Sequence, residues 1–212
     1  MAEPAAVVVY VHGLWMQGIE GVLLRRRLSA ERGFRCVAFP YRSWRDPMER
    51  TADALGRFAA RICAPQVHLL GHSLGGLVIL RCLQRRPAIP PGRVVFLGTP
   101  ASGCRAALRL GSVAIGRRLL GSAASEELLG AAARDWDCGR ELGIIAGTAP
   151  VGLGHLLLTF GEDNDGVVAV SETELAGAKS RLHLPVNHSG MLLSARVARE
   201  SGSFFEHGRF GA

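Results

Sequence analysis

Apolar residues follow two alternating rhythms along this chain. Short runs rich in β-branched residues are each followed by a longer stretch with apolar positions at helical spacing. "AVVVYV" (6–11) is a continuous apolar run of the buried-strand type, closed by Gly13. Leu23, Leu24 and Leu28 then mark one helical face, and Gly33 can end that helix. "RCVAFPYR" (35–42) reads as a second strand. Residues 47–62 begin with Pro at a helix-entry position and set Leu55, Phe58, Ala59 and Ile62 on one face. "QVHLLG" is a third strand and "LGGLVILRCLQRR" the helix after it. "RVVFLGTP" (93–100), "ELGIIAGT" (141–148) and "SRLHLPV" (180–186) supply three more strands, and "SGMLLSARVA" reads as a closing helix ahead of a polar tail.

Strand–helix alternation of this kind predicts an α/β fold with a mostly parallel sheet covered by helices on both faces. At 212 residues, one domain accounts for the whole chain. Residues 101–140 break the rhythm with several Gly- and Ser-punctuated helical patches and no strand. They fit either a pair of packing helices or a lid over a pocket, inserted within the one domain. "GLGHLLLTF" (152–160) fits either a pocket lining or buried support.

Composition narrows the function classes. Hydrophobic residues make up 48% of the chain, which excludes global disorder, and no stretch reaches the length of a membrane span. The N-terminus lacks a basic leader and runs straight into the first strand, so the expectation is a cytoplasmic protein. Net charge is +7, and Lys179 is the only lysine among 25 basic residues. The arginines are scattered and not interleaved with aromatics, a pattern that argues against nucleic-acid binding. Five widely spaced cysteines form no zinc motif and read as small buried hydrophobes, and no cofactor or metal is called for.

Reacting groups in an open parallel sheet belong at the carboxyl ends of the strands. "GHSLG" (71–75) stands directly after one strand and directly before a helix. Gly71 and Gly75 spare side chains where a sharp turn crowds the backbone, and Ser73 is then held exposed as a nucleophile. A helix N-cap is the ordinary alternative for that serine. A serine hydroxyl needs a base, and the base an orienting acid, in the chain order Ser, acid, His. His183 alternates within a strand and His207 lies in the tail, whereas His188 in "PVNHSGMLL" falls between a strand and a helix. His188 is therefore the expected base. For the acid, "GEDNDGVV" offers Asp165, ahead of Gly166 in a turn that would fix it, with Asp163 and then Glu162 behind. The oxyanion donors expected are the N–H of Leu74, which follows the nucleophile, and the N–H of Leu14 in "HGLW" after the first strand. His12 reads as a structural hydrogen-bonder, and Trp15 and Met16 as substrate contacts.

"VVVYVHGLW", "VHLLGHSLGG", "FLGTP", "NDGVVAVSET" and "NHSGMLL", in that order, resemble the α/β-hydrolase superfamily, specifically its small bacterial lipase and esterase branch. A weaker resemblance is to the lipase-like part of GPI inositol-deacylases. The resemblance implies a minimal version of that fold, with Ser73 as nucleophile, Asp165 as acid, His188 as base, and Leu14 and Leu74 as oxyanion donors. It implies hydrolysis of carboxylic esters, lipid esters or thioesters, with a small-molecule ester or lipid as partner. Acyl transfer by the same triad, and a non-catalytic binding protein on the same scaffold, are the alternatives. A weak peripheral membrane contact through Arg105, Arg109, Arg117 and Arg118 with their apolar neighbours is compatible with catalysis.

Overall fold

The computed structural model describes residues 6–111, 135–151 and 161–211. Their elements run β1 (Ala6–Val11), α1 (Val22–Arg32), β2 (Arg35–Ala38), α2 (Met48–Ala60), β3 (Gln66–His72) and α3 (Leu74–Gln84). They continue with β4 (Val94–Leu97), α4 (Arg105–Gly111), β5 (Leu142–Gly147), β6 (Ser180–Leu184) and α5 (Ala195–His207). All six strands pair in parallel in the order β2-β1-β3-β4-β5-β6. Every carboxyl strand end therefore faces the same edge. The order reverses between β1 and β3, the kind of crevice where open α/β sheets take up ligands.

Both faces of the sheet are buried, which is why the strands read as unbroken apolar runs. Alternate residues divide between two cores. Val9, Val11, Leu69, Phe96 and Ile144 meet α2 and α3 on one face. Val8, Tyr10, Leu70, Val95 and Ile145 meet α1 and α5 on the other.

Two expected boundaries move for identifiable reasons. β2 ends at Ala38 rather than at 42: Phe39 N still donates to Tyr10 O at 2.9 Å, but the next residue, Pro40, has no N–H for the ladder. The closing helix begins later and runs farther than its sequence pattern suggests. A short 3-10 turn (Gly190–Leu192) comes first, then α5 starts behind Ser194, whose Oγ accepts from Val197 N at 3.3 Å. The tail, polar in appearance, is helical to His207 because Val197, Ser201, Phe204 and Phe205 share its buried side. Most of the segment expected as an insertion, residues 112–134, lies outside the described residues, as does 152–160. Among the described residues no helix is long and apolar enough to cross a membrane. All five cysteines are free thiols; burial pushes those of Cys82 and Cys104 up to about 12, while Cys63 is exposed.

Candidate active site

β3 passes into α3 through Ser73 alone. The serine has φ 54° and ψ −123°, a conformation that costs a non-glycine residue about 1–3 kcal/mol. Its side chain makes no capping bond to α3, so the N-cap alternative has no hydrogen bond behind it. The flanking glycines are forced by close approach. A Cβ on Gly75 would stand 2.1 Å from the Val11 carbonyl oxygen, and one on Gly71 would stand 2.6 Å from Gly76 Cα. Ser73 N donates to Leu97 O at 2.9 Å, which ties the turn to the end of β4.

The loop after β1 comes up against this turn. A Cβ on Gly13 would lie 3.2 Å from Ser73 Cβ, so the two strand ends touch at the point where the strand order reverses. Among the described residues, neither Leu14 N–H nor Leu74 N–H donates to another backbone group. Leu74 N also sits at the start of α3, where the helix dipole is positive. Two side chains from the β2–α2 connection brace the loop. Tyr41 Oη donates to His12 O at 2.6 Å, and Trp15 N donates to the buried Ser43 Oγ at 3.0 Å while Trp15 holds φ 60°. His12 is buried, stacks on Tyr41 with ring centroids 4.2 Å apart, and bonds Gly13 O through Nδ1 at 2.9 Å. Burial lowers its pKa below the usual histidine range.

Acid and base candidates meet across 23 residues of sequence: His188 Nδ1 lies 2.6 Å from Asp165 Oδ2. Asp165 is buried, and the turn that runs through Gly166 holds its carboxylate. Oδ1 accepts from Val167 N at 3.0 Å and Val168 N at 2.7 Å. The backbone repeats the link, since His188 N donates to Asp165 O at 2.8 Å. Gly98, one residue past β4 at φ +53°, packs against the pair; a Cβ there would lie 2.9 Å from Asp165 Oδ2 and 3.1 Å from His188 Nδ1. With an acceptor at Nδ1, the imidazole keeps its proton there and leaves Nε2 free to accept another.

The other candidates stand elsewhere. Asp163 is exposed, and Glu162 is engaged by Arg105 Nη2 at 2.6 Å and Ser171 N at 3.3 Å. His183 faces outward on β6, and His207 ends α5. Trp15 is 52% exposed beside the β1 loop, whereas Met16 leans on the core formed with α1 and α5. Among the described residues the exposed large apolar side chains are Trp15, Ile19, Val22, Trp44, Leu108, Val151 and Leu193; Trp15 and Ile19 lie in the connection after β1 and Val151 in that after β5. Tyr41 and Ser43 escape a reading of spacing, their one signal being a place shortly past β2, and Gly98 is marked only by standing in "FLGTP" at the end of β4.

Residues 8–200 match the sequence profile of the alpha/beta hydrolase family. No curated relative matches the chain in sequence. Among solved structures, the chain is similar to a Bacillus licheniformis lipase in its mature form, with TM-score 0.72, 18% identity, and coverage of 99% of this chain and 95% of that one. It is similar to the carboxylesterase CesB of Bacillus subtilis, with TM-score 0.61, 13% identity, and coverage of 98% and 85%. A third likeness is to the RedJ thioesterase of prodiginine biosynthesis in Streptomyces coelicolor, with TM-score 0.58, 18% identity, and coverage of 96% and 89%. At such identities these structures speak for the fold, and the profile match over most of the sequence carries the assignment: the chain belongs to the alpha/beta hydrolase family.

Proposed function

We propose that the protein is a serine hydrolase of carboxylic esters, acting through an acyl-enzyme on Ser73. The observation that carries this reading is the Asp165–His188 contact of 2.6 Å, made at the sheet edge where Ser73 sits strained and uncapped. In the reading, Ser73 Oγ attacks the ester carbonyl and His188 Nε2 takes its proton. Asp165 holds the ring through Nδ1 and favours the imidazolium that forms. The tetrahedral oxyanion takes hydrogen bonds from Leu14 N–H and Leu74 N–H, each contributing roughly 3–4 kcal/mol to the transition state. His188 then passes the proton to the leaving alkoxide, and a water activated by the same base releases the acid. The exposed Trp15, in the loop that follows β1, supports an ester with a hydrocarbon acyl group.

A panel of p-nitrophenyl esters of increasing chain length, with Ser73→Ala as control, tests this. Turnover should fall by roughly a million-fold in the variant, and a fluorophosphonate probe should label the wild type alone. Undiminished hydrolysis by a folded Ser73→Ala protein would refute the proposal.

A further inference from the structure

His72, the residue before Ser73, has no exposed surface and stands between the two loops that flank the nucleophile. On one side its Nε2 lies 3.0 Å from the carbonyl oxygen of His188, 116 residues away in sequence. The two imidazole rings are 4.8 Å apart at 46°. On the other side Nδ1 has no hydrogen-bond partner among the described residues and looks toward Gly13, where an added Cβ would lie 3.3 Å from it.

This geometry selects one form of the ring. A carbonyl oxygen can only accept, so the proton sits on Nε2 and donates to His188 O. Adding a second proton at Nδ1 would create a buried cation with no acceptor. The titratable groups facing His72 are His188 and Asp165 from the loops after β6 and β5, and His12 from the end of β1. Burial first, then the neighbouring His188, lowers its pKa to about 3 against the attraction of Asp165. The ring is therefore neutral, with a fixed tautomer, wherever ester hydrolysis at neutral pH takes place.

The bonds that His188 makes to Asp165, at Nδ1 and at the backbone N–H, join base to acid. The bond from His72 joins that pair to the strand carrying Ser73. We infer that His72 is a positioning residue for the base: its Nε2–H tethers the His188 carbonyl to the nucleophile's own turn and so sets the imidazole's distance from Ser73. The inference rests on the assignment of Ser73, Asp165 and His188 proposed above.

Two substitutions of similar volume separate the donor from the packing. His72→Gln keeps an N–H donor at comparable reach, and His72→Met does not. With a p-nitrophenyl ester, His72→Met should lose roughly 10- to 100-fold in kcat with KM nearly unchanged, and His72→Gln should recover most of that loss. A purely structural role would lower the melting temperature of both and leave their kcat values alike. Equal kcat in both variants, or wild-type kcat in His72→Met, overturns the tether. If neither variant folds, ¹⁵N-histidine NMR of the wild type decides. Two buried imidazoles, those of His68 and His72, should stay neutral and Nε2-protonated from about pH 8 to about pH 5, and the one in contact with His188 is His72. A His72 ring that titrates in that window, or carries its proton on Nδ1, overturns it equally. Ser73→Ala in the same assay keeps the two ideas apart. Residual full activity there sinks the triad, whereas a dead Ser73→Ala beside a fast His72→Met sinks the tether alone.

Discussion

Position 98 has no side chain, and the Asp165–His188 pair lies where one would be. An alanine there would have to hold φ near +53° and press its methyl against both polar atoms of the contact. Gly98→Ala is therefore expected to lower kcat by about 10- to 100-fold, with KM close to wild type and only a modest loss of melting temperature. Unchanged kcat in a folded variant would show that the pair can move aside. Glycines like this mark the limit of what single residues disclose. Ser73, Asp165 and His188 stand out because each sits in a short local pattern: strand–GHSLG–helix, NDG before an apolar run, NH between strand and helix. Tyr41, Ser43 and His72 act on partners 29, 28 and 116 positions away, and no local pattern encodes those contacts.

At the scale of elements, the loop bearing Asp165 is fastened to α4 by one buried carboxylate. Glu172 accepts from Arg105 N at 2.6 Å and Arg105 Nε at 3.1 Å, at the start of α4. Its other oxygen accepts from Ala169 N at 2.8 Å. Glu172→Gln replaces one acceptor with a donor that faces other donors, and should destabilise the protein by about 1–3 kcal/mol. Urea denaturation measures that loss, and hydrogen exchange should quicken in 161–173 and the first turn of α4 before it does elsewhere. Protection unchanged in both segments would mean that the loop is held by other contacts. Existence and order of strands were legible from apolar runs, because both sheet faces are buried. Their ends were less so, since Pro40 stops the β2 ladder inside a run that still reads as strand. The last helix was the hardest to read. "SGSFF" looks like a tail until the period linking Val197, Ser201 and Phe205 is followed across it.

For the whole molecule, buried histidines set the response to acid. His68, packed between Phe34 and Phe205, accepts from Arg93 N at Nδ1 and is held down to about 4, chiefly by burial and then by Arg93 and Arg140. His72 is lower still, at about 3. Below about pH 6.5 the unfolded chain binds protons that the folded chain refuses, so stability falls as pH drops from 6.5 toward 4. His68 alone accounts for roughly 3 kcal/mol of that loss by pH 4. Urea midpoints measured from pH 7.5 down to about 4.5 should decline, and His68→Phe should flatten the slope. A pH-independent midpoint in the wild type would contradict this. The far edge of the sheet is secured separately: Arg140 donates to the carbonyls of Val67, Ile89 and Pro90 at 2.6–3.0 Å, away from the candidate site.

The flanks of the sheet carry one more consequence. Its outermost strands are β2, four residues long and opening with the exposed Arg35, and β6, on which Arg181 and His183 project outward and only Leu184 is buried. A foreign strand seeking to extend the ladder on either side would have to strip water from an arginine for few hydrogen bonds in return. The parallel sheet is thus a finished surface, its open backbone groups guarded against aggregation on both flanks.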